Sequence, residues 1–239
     1  MSNKVKSTWL VISLVFNLLF IAALLFALNK YGGWKNLWWK INNRGIEKTY
    51  LHRKNLFEML PGKDSAIVFL GNSLTAYGEW AELMADARVV NRGIPGDHCD
   101  GVRQRLGDIA RLHPQKVFLM IGINDLAFHP PETVLVKYEK LLAALARHLP
   151  DTAIYLQSVF PVNNRVSPTP INNSDVRQLN EGIRRLAAQY QMNFLDTHPI
   201  LADADGNLHA KFTLDGIHLN GRAYRKWKDF LLQNVESGK

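Results

Sequence analysis

Apolar residues fall into two regimes along this chain. From Trp9 to Leu28 the run is apolar on every helical face; Ser13 and Asn17 are its only polar members, and it carries no charge. A helix of that length crosses the hydrocarbon core of a bilayer. The alternative is a cleaved signal peptide, with Ala22-Ala23 or Ala27 near the cut. No cysteine directly follows the run to carry a lipid. Beyond Gly32-Gly33, Trp34, Leu37, Trp38 and Ile41 share one helical face, and Lys35, Lys40 and Arg44 fall elsewhere. Tryptophan favours the headgroup level, so this stretch reads as lying in the membrane interface. Packing against a globular domain is the other reading.

Further along, short apolar runs alternate with amphipathic stretches. Ala66–Leu70, Val89–Asn91, Lys116–Ile121, Ala153–Val159 and Asn193–Leu195 read as strands. Thr75–Ala87, Asp100–Leu112, Thr133–Leu149, Ser174–Gln191 and Gly221–Val235 read as helices. Strand and helix alternate about five times, which predicts an α/β fold: a parallel sheet covered on both faces. Ligand sites of such sheets lie beyond the carboxyl ends of the strands. Ser73, Gly93 and Asn124 each follow a predicted strand and therefore converge on one sheet edge. The one long connection, Phe160 to Asn173, is rich in Pro and Asn and reads either as bordering a substrate or as a surface excursion.

Composition changes this picture little. Of 239 residues, 47% are hydrophobic and 21% charged, ordinary for a globular protein. The net charge of +8 is concentrated around the apolar run, at Lys4, Lys6, Lys30, Lys35, Lys40, Arg44 and Lys48. That distribution suits anionic lipid headgroups rather than nucleic acid. There is neither zinc-ligand spacing nor a nucleic-acid motif. The single cysteine, Cys99, excludes an internal disulfide and reads as a small buried side chain. The short tail bearing Lys4 and Lys6 favours export of the domain beyond the span, whereas the Lys and Arg count near each end favours the opposite orientation.

Candidate chemistry sits at four separated places. Asp215 and His218, three residues apart on one turn, can present a carboxylate and an imidazole to the same point. If Ser73 meets them there, a nucleophile, a base and a group that orients the base are assembled. Gly93, in a turn with Pro95 and Gly96, offers a backbone N–H that a ligand can approach closely, and Asn124 offers a side-chain amide. Each has a plainer reading: Ser73 as a helix N-cap, Gly93 and Asn124 as turn residues, His218 as a surface histidine. Asp97 reads as a cap of the following helix, and His98 as a residue at the site's rim.

Taken together, Gly71-Asn72-Ser73-Leu74, Asn91-Arg92-Gly93, Gly122-Ile123-Asn124-Asp125 and Asp215-Gly216-Ile217-His218 resemble, in order, the four blocks of the SGNH hydrolase superfamily, the GDSL-type esterases. The resemblance covers roughly Ala66 to Phe230 and departs at Asn72, where the family usually has aspartate. It implies a three-layer α/β/α, flavodoxin-like fold with about five parallel strands. It also implies Ser73 as nucleophile, His218 as base and Asp215 as its partner, with an oxyanion hole from the N–H groups of Ser73 and Gly93 and the Asn124 amide. No cofactor or metal is expected. The Asp-Gly-Ile-His-Leu-Asn stretch looks most like bacterial acetylhydrolases and carbohydrate acetylesterases. The expected organisation is an anchor over residues 1–30, a juxtamembrane amphipathic segment over 31–60 and the hydrolase domain over 61–239. The expected activity is esterase action on short O-acyl groups of an envelope glycan, at the extracytoplasmic face. A lysophospholipase or thioesterase, and a non-catalytic tethered binding module, are the alternatives. A dinucleotide-binding oxidoreductase fits poorly, since Gly71-Asn72-Ser73 lacks the glycine-rich fingerprint.

Overall fold

A computed structural model of the chain describes residues 3–30, 33–34 and 46–235. The chain divides into two compact units, Met1–Arg44 and Gly45–Lys239. In the first, helix α1 (Asn3–Lys30) contains a stretch, Thr8–Lys30, long and apolar enough to cross a membrane. Its large side chains, Trp9, Phe16, Phe20 and Phe26 among them, are exposed. Trp34 is exposed as well. Leu37, Trp38 and Ile41, with Lys35, Lys40 and Arg44, lie outside the described residues.

The second unit is built on five parallel strands: β1 (Ile67–Gly71), β2 (Val89–Gly93), β3 (Lys116–Met120), β4 (Ala153–Gln157) and β5 (Asn193–Leu195), in the order β2-β1-β3-β4-β5. The three central runs, IVFLG, KVFLM and AIYLQ, are apolar on both pleat faces because helices cover both. On one face Val68, Leu70, Val117 and Leu119 pack against Val102, Leu106, Leu141 and Ile183. On the other, Phe69, Phe118 and Met120 meet Trp80, Tyr224 and Trp227. Phe69 stacks on Trp80 with ring centroids 4.1 Å apart. The result is the three-layer α/β/α architecture expected. The order reverses between β1 and β3, so the crevice at their carboxyl ends is the natural ligand position.

Two predicted helices are each broken in two. Thr75–Ala87 becomes α3 (Ser73–Ala76) and α4 (Trp80–Leu83), because the Trp80 indole donates back to Thr75 O at 2.8 Å and folds the chain at Tyr77–Glu79. Asp100–Leu112 becomes α5 (Cys99–Arg103) and α6 (Leu106–Ala110). Helix α2 (Ile46–Met59) belongs to the second unit, which begins at Gly45. Phe57 anchors it, 3% exposed, beneath the Arg92 guanidinium at 4.7 Å. Tyr50 donates to Gly101 O at 3.0 Å. The longer helices α7 (Pro131–His148), α8 (Asn173–Gln189) and α9 (Gly221–Val235) lie within a few residues of their predicted bounds.

Candidate active site

β1 ends at Gly71, and the chain turns directly into α3. Asn72 is the N-cap, its Oδ1 accepting from the Leu74 N–H at 3.0 Å. Ser73 is therefore the first helical residue rather than the cap. Its N–H has no helical carbonyl to bind, and its hydroxyl is free for other work. That hydroxyl meets His218: Oγ and Nε2 are 3.0 Å apart. On the far side of the ring, Nδ1 lies 2.6 Å from Asp215 Oδ2. An ionised carboxylate only accepts, so Nδ1 carries the proton and Nε2 turns its lone pair toward the serine. Ser73 is buried. The side chains of His218 and Asp215 are 39% and 52% exposed, so the site opens to solvent on the histidine side.

The Asp215–His218 turn organises itself. Asp215 Oδ1 accepts from the N–H groups of Ile217 at 3.0 Å and His218 at 2.8 Å. Partial burial pushes the Asp215 carboxyl up, but the hydrogen bonds from the His218 ring and these two amides outweigh it and hold the group at about 2. Gly216 sits at φ +83° in the middle of the turn, and a Cβ there would lie 2.5 Å from Asn163 O. The long connection thus borders the site: the Asn163 N–H donates to Gly216 O at 2.8 Å, and its side chain donates to Leu208 O at 2.6 Å.

Gly93 ends β2 in register with Gly71. A Cβ on it would fall 2.3 Å from Ala76 N, so only glycine lets the strand end abut α3. Its N–H is not idle, donating to Asn91 Oδ1 at 2.8 Å. The same Asn91 side chain donates to Thr75 O, Ala76 O and Gly78 O at 3.0, 3.1 and 2.9 Å. Asn91 stands in the second sequence block, which assigned it no role of its own; an asparagine directly after the apolar Val89-Val90 pair was the available signal. Asn124, in the short helix Ile123–Leu126 after β3, gives one amide hydrogen to Asp97 O at 2.9 Å and keeps the second. Two further supports were given no role in the sequence reading: the Tyr224 hydroxyl donates to Leu74 O at 2.8 Å, and Asp125, fully buried, accepts the Cys99 N–H at 3.1 Å.

Asp97 is not a helix cap. The helix after it starts at Cys99 with His98 as N-cap and without a side-chain capping bond. The Asp97 carboxylate instead pairs with Arg105. His98 lies near Phe128, ring centroids 6.3 Å apart. Beside His218 stands Tyr77, its ring 5.4 Å away and itself exposed. Cys99 is buried, which pushes its thiol well above the usual range and suits the inert role expected. Among the described residues there is no cluster of His, Cys, Asp and Glu that could hold a metal ion.

Residues 69–226 match the model of the GDSL-like Lipase/Acylhydrolase family. One solved structure similar to this chain is a Streptococcus pneumonia protein provisionally described as a platelet activating factor, 28% identical. It has a TM-score of 0.71 over 80% of this chain and 93% of that one. Another is a variant of an acetyl-xylooligosaccharide esterase from Geobacillus Stearmophilus, 20% identical, with a TM-score of 0.58 over 73% and 95% of the two chains. Among curated proteins, an N-acylneuraminate cytidylyltransferase from Escherichia coli is 27% identical over 193 residues, 79% of this chain. The match spans only 42% of that relative's length.

Proposed function

This chain belongs to the GDSL-like lipase/acylhydrolase family of the SGNH hydrolases and is a carboxylic ester hydrolase, and from that premise we propose that it is a membrane-anchored serine esterase working through an acyl-enzyme. The observation that carries the reading is the continuous hydrogen-bonded line from Asp215 through His218 to Ser73. In the proposed reaction Ser73 Oγ attacks the ester carbonyl carbon while His218 Nε2 takes the hydroxyl proton. The carbonyl electrons move onto oxygen, and that oxyanion rests on the N–H groups of Ser73 and Gly93 and the second amide hydrogen of Asn124. Gly93 would share its N–H with Asn91 Oδ1, whereas Asn124 has a donor to spare. On collapse the bond to the alcohol oxygen breaks, and His218 returns the proton to it. Water then repeats the sequence, with His218 again as base, and releases the acid. One such donor is typically worth about 3 kcal/mol of barrier.

The proposed substrate is a short acyl group, acetyl first, on a carbohydrate of the cell envelope. Two likenesses support this: one relative is named for an N-acylneuraminate, the other for acetylated xylooligosaccharides. The proposed location is the extracytoplasmic face of a membrane crossed by the Thr8–Lys30 helix; its length and hydropathy support the span, and the short tail with Lys4 and Lys6 supports the side. An alkaline phosphatase fusion to the C-terminus tests the side; inactivity in intact cells would refute it. A lysophospholipase or thioesterase is the second reading. Exposed apolar side chains near the triad turn, Leu214 at 90% and Tyr77 at 54%, favour it.

A p-nitrophenyl ester series with Ser73→Ala as control separates the readings. Rates falling from acetyl to long chains support the acetyl substrate, and rates rising with length support the lipid one. Ser73→Ala should remove nearly all turnover and all labelling by a fluorophosphonate while leaving the melting temperature unchanged, because Asn72 and not Ser73 caps the helix. Full labelling of the alanine variant would remove Ser73 from its role.

A further inference from the structure

The reaction above makes no use of Arg105 and Asp97, yet their side chains are each 1% exposed and lie between two of its parts. Arg105 Nε and Nη2 hold Asp97 Oδ2 at 2.9 and 2.8 Å. Nη2 also donates to Gly71 O at 3.3 Å, at the end of β1 and two residues before the serine. Asp97 Oδ1 accepts the His98 N–H at 2.9 Å, and Asp97 O accepts the Asn124 amide at 2.9 Å. A single line of contacts therefore runs from the nucleophile turn through Arg105 and Asp97 to the Asn124 side chain.

We infer that the Arg105–Asp97 ion pair is a positioning device that sets the Asn124 amide relative to Ser73. The inference rests on Asn124 acting as an oxyanion donor. An amide with one hydrogen fixed on a carbonyl has its plane fixed too, which aims the second hydrogen. That carbonyl belongs to Asp97, whose carboxylate Arg105 locks from behind, and Arg105 takes its own reference from Gly71. Displacement of a donor by about 1 Å is enough to lose about 100-fold in rate. An ion pair this deeply buried is, by contrast, a weak stabilising device, because desolvation offsets its attraction. Orientation explains its placement better than stability does. Arginine is required, since a lysine ammonium cannot bond the carboxylate through two nitrogens and reach Gly71 O as well.

A double-mutant cycle on a short-chain aryl ester tests this, using the full chain. Asn124→Ala should lower kcat by about 10²–10³-fold. Arg105→Lys should lower kcat by about 10-fold or more with KM held within about twofold, as a misaimed donor requires. Added to Asn124→Ala, Arg105→Lys should change kcat by less than about twofold, since the donor it aims is already gone. Asp97→Asn, which keeps an oxygen for the His98 N–H, should show the same non-additivity. Losses that multiply in the double variant, with the single variants folded by thermal melting, overturn the inference. An Asn124→Ala enzyme with undiminished kcat sinks the reading of Asn124 itself, and the coupling with it. Failure of both Arg105→Lys and Asp97→Asn to fold would assign the pair to stability alone and also overturn it.

Discussion

At the scale of single residues, the electrostatics of Asp215 set a pH expectation. Its carboxyl is held at about 2, below the ordinary value near 3.9, by hydrogen bonds that exist only in the folded turn. A depressed carboxylate stabilises the fold fully above its unfolded value, and that contribution is lost as pH falls through about 2. Asp215 therefore stays ionised across the whole range in which an imidazole titrates. The acid limb of kcat/KM should therefore not belong to the Asp215 carboxyl. Asp215→Asn should lower kcat by up to about 10⁴-fold, because Nδ1 loses the partner that fixes its tautomer, and should flatten the stability loss between about pH 4 and 2. A pH–rate profile and pH-resolved thermal unfolding check both; near-normal kcat in the Asp215→Asn variant contradicts the role given to the carboxylate. The contacts among Ser73, His218 and Asp215 were legible in the sequence because each residue stood in a short block of recognisable composition, as did Gly93 and Asn124, which are proposed beside them. Asp97 was misread because its partner, Arg105, lies eight positions on, in a kink between two helices that no periodicity announces. Asn91 and Tyr224 act through backbone carbonyls of α3, and a carbonyl has no signature in a list of side chains.

Elements were legible in proportion to their burial. The three central strands are apolar on both faces, so their runs stood out and their observed bounds fall within two residues of the reading. The helix breaks at Tyr77–Glu79 and between Arg103 and Leu106 were hidden, because the apolar spacing continues through them while the indole of Trp80 redirects the chain. The turn from Asp215 to His218 is the element on which the site depends most. Gly216→Ala puts a Cβ 2.5 Å from Asn163 O at a left-handed φ, so the turn or the bordering connection must shift. Destabilisation of about 1–3 kcal/mol is expected, with kcat reduced far more than the melting temperature suggests, because the imidazole moves with the turn. Unchanged kcat in Gly216→Ala would show that the connection does not brace the histidine.

For the whole molecule, the compact unit from Gly45 onward contains every site residue. A chain beginning at Gly45 should fold, hydrolyse a soluble aryl ester at the full-length rate, and no longer sediment with membranes. Loss of esterase activity in that truncation, with membranes absent from both assays, would contradict this expectation. Helix α2 was not foreseen as part of this unit, because one buried phenylalanine under an arginine is too sparse a pattern to separate docking on protein from lying on lipid. One more consequence follows from the distance along the chain between the partners. The serine and its imidazole are 145 positions apart, and the tyrosine that ties the last helix to the first turn reaches back 150. A ribosome must therefore pass residue 218 before the serine can meet its imidazole. A chain halted or cut short of that residue should leave the serine without its proposed base and the esters around it untouched.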